Sequence, residues 1–341
     1  MTNFKRYFRA HLKASIIPMI YIFSVVLVFT VLVGMTMQTS YYYGADGQVL
    51  SVREYESTIG TPVTFLYILI YVLPVMEFSF FKKRINLDCA YALPISRRAM
   101  GAVRYLTGLL ILFGAFTLSY LLNFFLLLRL EPGWYHFSPM IPHYFLSLLL
   151  GIAIYSVMVF VFSEANTKGE GIWLMIFYSF VFFLIAWALG DMLPEGNIFA
   201  RGNLGTPLDT LNALTTRYRY MIEVQLAQNT FWEPPKYVGW RVFWVVLGVA
   251  SAVGFFLGFG KKRTEKTGEI STSCFGFASL LPVCAVSAMI AFEVANHVLA
   301  WAMLEVLVLL GYTVYRRGFH YKKSDVAVLL SLVIFLFLKI R

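Results

Sequence analysis

Apolar stretches long enough to cross a bilayer, separated by short charged breaks, constrain this chain more than any other feature. They run at about 15–37, 63–81, 105–128, 144–162, 172–190, 240–259, 276–292 and 297–315, with a shorter one at 326–338. A helix needs roughly 20 apolar residues to cross a hydrocarbon core of about 30 Å. Inside that core each backbone N–H and C=O must find a partner within the protein, which a helix supplies by itself. Only 13% of the residues are charged and 59% are hydrophobic, far from the balance of soluble domains. The expected fold is all-α: a polytopic transmembrane helical bundle of eight or nine spans, one domain over residues 1–341.

Lys and Arg orient such a chain, because they collect on the cytoplasmic side. With the N-terminus inside, the inner segments hold 19 of the 28 basic residues. Every short basic cluster then falls inside: Lys5, Arg6, Arg9 and Lys13; the six of Phe81–Arg104; Lys261, Lys262, Arg263 and Lys266; and Arg316, Arg317, Lys322 and Lys323. If 326–338 does not span, the bundle has eight spans and the C-terminus is also cytoplasmic. The net charge of +10 follows from this bias. No interleaved aromatic and basic pattern points to nucleic acid.

The first apolar run is too long for a signal-peptide core and lacks a small-x-small cleavage site, so it reads as a retained span. Before it, Phe4, Tyr7, Phe8 and Leu12 share a helical face, with Lys5, Arg6, Arg9 and Lys13 elsewhere. Residues 1–14 are therefore expected to form an amphipathic helix in the headgroup layer, or else a basic flank that only sets topology. Two outer segments are substantial. Residues 38–62 are polar and Tyr-rich, as in an interfacial belt. Residues 191–239 hold turn signals, then a helical pattern over Leu208–Gln228 opened by Asp209. That helix would pack on the outer ends of the spans, or serve as a lid or partner contact. No internal repeat is visible.

Chemistry within the chain is sparse. No Walker A sequence, nucleophile elbow, zincin helix or dinucleotide fingerprint occurs, so neither catalysis nor a bound cofactor is expected. Cys89, Cys274 and Cys284 have no metal-site spacing and form no disulfide framework. His136 and His143, the closest histidine pair, read as interfacial residues on a Pro- and aromatic-rich loop, and no metal is expected. Two acids stand in apolar runs, Glu77 in VLPVMEFSFF and Glu305 in WAMLEVLVLL. A carboxylate in the bilayer is costly and has a reason. They either serve ion coupling or are structural, with Glu77 reaching the interface beside Lys82 and Arg84 and Glu305 pairing within the bundle.

The most distinctive segment is Phe81–Arg104, FKKRINLDCAYALPISRRAMGAVR. It is as long as a span and too charged to be one. Ile85, Cys89 and Ala92 share one helical face, with Asn86 and Asp88 turned away. Pro94 suits a helix's first turn. The pattern predicts a short helix, a sharp turn at Leu93–Pro94 and a second helix rising into the third span. The plainer reading is a loop that only sets topology.

KKRINLDCAYALPISR resembles the first cytoplasmic loop of bacterial ATP-binding-cassette permeases of the type-2 exporter kind. The later KKRTEKTGE is loosely similar to a stretch found in Gram-positive members of that group. The basic N-terminal helix matches the family's interfacial helix, whereas eight or nine spans depart from its common six. The resemblance implies that this loop docks on a separate ATPase, which would bind the ATP and Mg²⁺. Asn86, Asp88 and Tyr91 would lie on the docking helix, and Pro94, Ser96 and Arg97 would fix the turn. The implied partners are two ATP-binding subunits, a second permease chain and the lipid bilayer. The implied setting is a bacterial cell membrane, and the implied activity is export of an amphipathic cargo such as a peptide, antibiotic or lipid. Two alternatives stand beside it: an ion-coupled secondary transporter using Glu77 and Glu305, and a membrane sensor that binds something through 191–239.

Overall fold

The computed structural model describes residues 2–35, 38–43, 49–55, 60–83, 86, 92–128, 138–192, 206–222, 238–260, 269, 271, 273–295, 298–316 and 318–340. The regular structure among these residues is helical except for one β-hairpin. Its helices are α1 (Thr2–Met35), α2 (Gly60–Phe78), α3 (Arg97–Leu127), α4 (Met140–Glu164) and α5 (Lys168–Met192), followed by α6 (Pro207–Ile222), α7 (Val238–Phe259), α8 (Phe277–Ala295), α9 (Val298–Arg316) and α10 (Lys323–Ile340). A 3₁₀ turn, Ser79–Lys82, continues α2. The hairpin pairs β1 (Gln38–Tyr43) antiparallel with β2 (Val49–Tyr55), with an irregularity between Tyr42 and Tyr43.

Each apolar stretch read from the sequence lies on a helix. Among the described residues, six helical segments are long and apolar enough to cross a membrane: Phe4–Val33, Gly60–Lys82, Arg97–Leu127, Met140–Glu164, Lys168–Ala186 and Val238–Phe259. The shorter apolar stretch Phe277–Ile290 lies on α8. α1 is one helix from Thr2 onward, with no break between its basic start and its apolar body. At 1.5 Å per residue it is about 50 Å long. Pro18 and Pro74 lie inside helices, a placement that spans tolerate because neighbouring groups satisfy the freed carbonyl.

α4 is the hub. It packs against α7, α2, α5, α6 and α3, while α1 lies on α3 and α8 on α5. In its most apolar window 72% of α4 is buried, against 11% for α1, so α4 is an interior rod and α1 a peripheral one. Since lipid tails are as apolar as Leu, close packing and polar contacts hold such helices together. Both are present. Gly248 of α7 lies so close to Ala153 of α4 that an added Cβ would sit 2.6 Å from the Ala153 Cα. Hydroxyl pairs tie neighbouring helices: Thr30 to Ser119 at 3.1 Å, Tyr71 to Ser179 at 2.6 Å, and Tyr105 to Ser156 at 2.7 Å.

Candidate functional site

The helices alternate in direction, so α2, α4, α7 and α9 end, and α1, α3, α5, α8 and α10 begin, at the end that bears the basic clusters. Contacts bear this out: His11 near the start of α1 meets Glu77 near the end of α2. The space beside Gly101 at the start of α3 is filled by Phe259, the last residue of α7. Three polar assemblies of described residues at this end bear on the site.

The first is the stem of the 83–96 segment. Lys82 closes the 3₁₀ turn and points its ammonium at the C-terminus of α4. It donates to Ser163 O at 3.2 Å and to Ala165 O, with the Phe162 ring centroid 5.3 Å away. The last carbonyls of a helix lack intrahelical donors, so one cation satisfies two orphans. On the far side, the chain bends over 92–95, where the Ile95 N–H donates to Leu93 O at 2.7 Å. Leu93 and Pro94 are exposed, and Ile95 packs on the core. Here the structure corrects the sequence reading. Pro94 is not in the first turn of a helix, because α3 begins at Arg97. Ser96 is its N-cap, with Oγ accepting from Ala99 N–H at 3.3 Å. A Ser at that position is a recognised start signal, and Pro94 only stiffens the approach. Arg97, half-exposed, opens α3, and Asn86 is helical and half-buried. Asp88 and Tyr91 lie outside the described residues.

The second is a buried cluster on α1–α4. Glu77, 6% exposed, pairs its Oε2 with His11 Nε2 at 2.9 Å. Its backbone oxygen accepts from Arg104 Nη1 at 2.6 Å. The Arg104 guanidinium lies against two neighbouring aromatic rings, 4.5 Å from the Phe80 centroid and 4.9 Å from that of Phe81, the distances of cation–π attraction. Among the described residues its Nε has no hydrogen-bond partner, nor has the wholly buried Tyr155 hydroxyl of α4. That hydroxyl occupies the space a Gly108 side chain would fill, with Glu77 Cγ on the other side. Glu77 therefore does not reach out beside Lys82 as the sequence allowed; Lys82 is spent on α4, and the acid is turned inward. Glu305 is half-buried on α9, which packs against α8 and α10. The two intramembrane acids thus lie on different packing surfaces.

The third assembly is the α4–α5 turn, Ala165–Thr167. Thr167 and Glu170 form a capping box: Glu170 N–H donates to Thr167 Oγ1 at 3.2 Å and Thr167 N–H to Glu170 Oε2 at 3.4 Å. Lys168–Gly171 is the first turn of α5. Glu170 Oε1 also accepts from Ser271 N–H at 2.8 Å, and Glu164 accepts from the Ser273 hydroxyl at 2.5 Å. The approach to α8 is thereby fastened to the same turn that Lys82 holds.

At the opposite end, His143 corrects another expectation. It is fully buried in α4, not on an interfacial loop. Its Nδ1 lies 2.8 Å from Tyr120 Oη, and its Nε2 lies 3.3 Å from Ser147 and 3.4 Å from Thr215 of α6. Tyr120 also donates to Met140 O at 2.9 Å and Thr215 to Leu211 O at 2.9 Å. His136 lies outside the described residues. α6 opens on a Thr206–Asp209 cap, in which Asp209 N–H donates to Thr206 Oγ1 at 3.0 Å. Burial pushes the Asp209 carboxyl up, opposed by its bond from Thr206. The helix read as Leu208–Gln228 is thus described as Pro207–Ile222, and it packs on α4 and α2. Among the described residues no group of three or more His, Cys, Asp or Glu could hold a metal ion.

Compared with known proteins, the chain matches no protein-family model, no curated protein and no solved structure. Sequence reasoning missed His11, Arg104, Tyr155 and Lys82 as site residues. His11 carried one usable signal, its position one helical turn after Tyr7, with which it stacks at 6.2 Å. Arg104 was visible only as one more positive charge.

Proposed function

We propose that this chain is the membrane-spanning subunit of an ATP-driven transporter of the type-2 exporter kind. It has eight or nine spans, its N-terminus and basic end lie in the cytoplasm of a bacterial cell, and the start of α1 lies at the inner headgroup layer. It pairs with a second permease chain, identical or related, and with two ATP-binding subunits that hold ATP and Mg²⁺. Its cargo is amphipathic. The observation that carries the reading is the anchorage of the 83–96 segment. Both ends of this segment are held at the basic end of the bundle, and it carries Lys83, Arg84, Asn86 and Asp88, groups suited to meeting a soluble partner. Its stem residue Lys82 grips the C-terminus of the interior helix α4. A push on the projection therefore reaches the helix that touches most of the bundle, and two arrangements of the spans can be biased from outside the membrane. Asn86, Asp88 and Tyr91 make the docking surface, while Pro94, Ser96 and Arg97 hold its turn.

The test is affinity capture of the tagged chain from its host membrane. A protein of ATPase size should co-purify in a stable ratio, and Asp88→Ala or Pro94→Ala should lower its yield. Capture of an intact chain with no nucleotide-binding protein refutes the reading.

A second reading draws on Glu77. A buried carboxylate with a titratable partner, His11, is the kind of group an ion-coupled carrier uses. It predicts transport driven by an ion gradient and abolished by Glu77→Gln. Glu305, on another packing surface, adds nothing to it.

A further inference from the structure

The exposed side of α1 is continuous along the helix and changes chemistry once. Lys5, Arg6, Arg9 and Lys13 are all exposed; after Lys13 the exposed described residues of α1, Ile16, Ile17, Ile20, Tyr21, Ser24 and Val25 among them, are all uncharged and mostly apolar. Lys5, Arg9 and Lys13 are spaced by four and so form one stripe. No acid occurs in the first 45 residues. The other side of the same stretch is docked: Tyr7 packs on the core, and His11 is bonded to Glu77. The stripe therefore has a fixed outward direction. Other exposed cations stand at this end of the bundle, Lys83, Arg98, Lys168, Lys322 and Lys323, with Glu269 the exposed acid among its described residues.

We infer that this stripe binds the headgroups of anionic lipids. Apolar exposure beginning at Ile16 marks the edge of the hydrocarbon. At 1.5 Å per residue, Lys13 lies about 5 Å beyond that edge along the axis, within a headgroup layer roughly 5–8 Å deep, and Arg9 about 10 Å beyond it, close enough for its long side chain to reach back into that layer. Lys5 and Arg6 stand about 15 Å beyond the edge and extend the positive field outward. Lipid is favoured over an acidic protein because the cationic and apolar surfaces are one face of one rigid helix. Whatever covers Ile16 and Ile17 continues over Lys13 and Arg9, and a bilayer leaflet does both. This rests on the placement of α1 across a membrane and not on the ATP-driven mechanism, so the two fail separately.

The experiment uses the full chain in vesicles of phosphatidylcholine containing a spin-labelled phosphatidylglycerol or a spin-labelled phosphatidylcholine. The immobilised fraction gives the relative affinity for each headgroup. The wild type should prefer phosphatidylglycerol several-fold, falling toward parity at 1 M salt, where the Debye length is about 3 Å. Arg9→Gln with Lys13→Gln, which leaves Lys5 and Arg6 to set orientation, should lose most of the preference; Arg9→Lys with Lys13→Arg should keep it. No preference in the wild type, or an undiminished one in the Gln pair, overturns the inference. So does a Gln pair that keeps its lipid preference but loses a bound acidic protein.

Discussion

Replacing Gly108 with Ala tests the packing of the buried cluster. An added Cβ would stand 2.0 Å from the Tyr155 hydroxyl oxygen and 3.0 Å from its Cζ. Carbon and oxygen in contact need a separation of more than 3 Å, so the hydroxyl must retreat by more than 1 Å. It has nowhere to go: Tyr155 is fully buried, with the Tyr105 ring 5.7 Å away. Overpacking of this kind costs roughly 1–3 kcal/mol. Tyr155→Phe deletes the clashing atom. That atom also has no hydrogen-bond partner among the described residues, so its removal alone should be neutral or mildly stabilising. The double variant should therefore recover at least about 1 kcal/mol of the loss, a coupling expected of touching residues. Unfolding of the reconstituted chain by denaturant gives all four stabilities. A neutral Gly108→Ala, or a double variant no better than the single, refutes the placement of Tyr155 against α3.

His11→Ala should destabilise by about 1–3 kcal/mol, because it leaves the Glu77 carboxylate buried without its hydrogen bond; Glu77→Gln, which can still bond His11, should cost less in the same unfolding assay. Lys82→Met keeps the aliphatic stem but strips the donors from two α4 carbonyls, so hydrogen exchange should rise at 163–170 while that of α3 stays unchanged. At the α9–α10 turn, the Asp325 carboxylate is forked by Arg316 at 2.8 and 3.0 Å. Burial alone would raise its pKa, but the bonds from Arg316, the Lys322 N–H and Ser324 outweigh it and the net shift is downward. Its stabilising contribution is therefore complete above the ordinary carboxylate pKa near ~4 and drains away as pH falls below that. Melting followed from pH 6 to pH 3 should show the loss in the wild type, and Asp325→Asn should remove that part of the pH dependence.

What was legible in the sequence followed from the cost of charge in a bilayer. Runs such as 105–128 carry no charged residue, and each such run lies on a helix because no other local structure satisfies the backbone there. The hairpin at Gln38–Tyr55 was legible too, and went unread. Tyr41–Tyr43 and Val49–Tyr55 are strand-forming residues on either side of Gly44 and Gly47, but a Tyr-rich stretch beside a span also reads as an interfacial belt. The start of α3 turned on a choice between Pro94 and Ser96, and the cap decided it. The candidate site was less legible because its contacts are distant: Glu77 meets His11 across 66 positions, and Lys82 meets Ala165 across 83. A charge count treats Lys82 and Arg104 alike, as cations on the inner side. Only packing separates the one that caps α4 from the one that lies against Phe80 and Phe81.

In the proposed reading the 83–96 segment couples this bundle to a separate ATPase. The direct measurement is ATP hydrolysis by the purified complex in vesicles, with and without substitutions in that segment and in the intramembrane cluster. The account predicts that Asp88→Ala and Pro94→Ala sharply reduce the hydrolysis rate while Glu77→Gln leaves it largely intact. Hydrolysis indifferent to both segment variants, with transport that runs on an ion gradient and stops on Glu77→Gln, would contradict it.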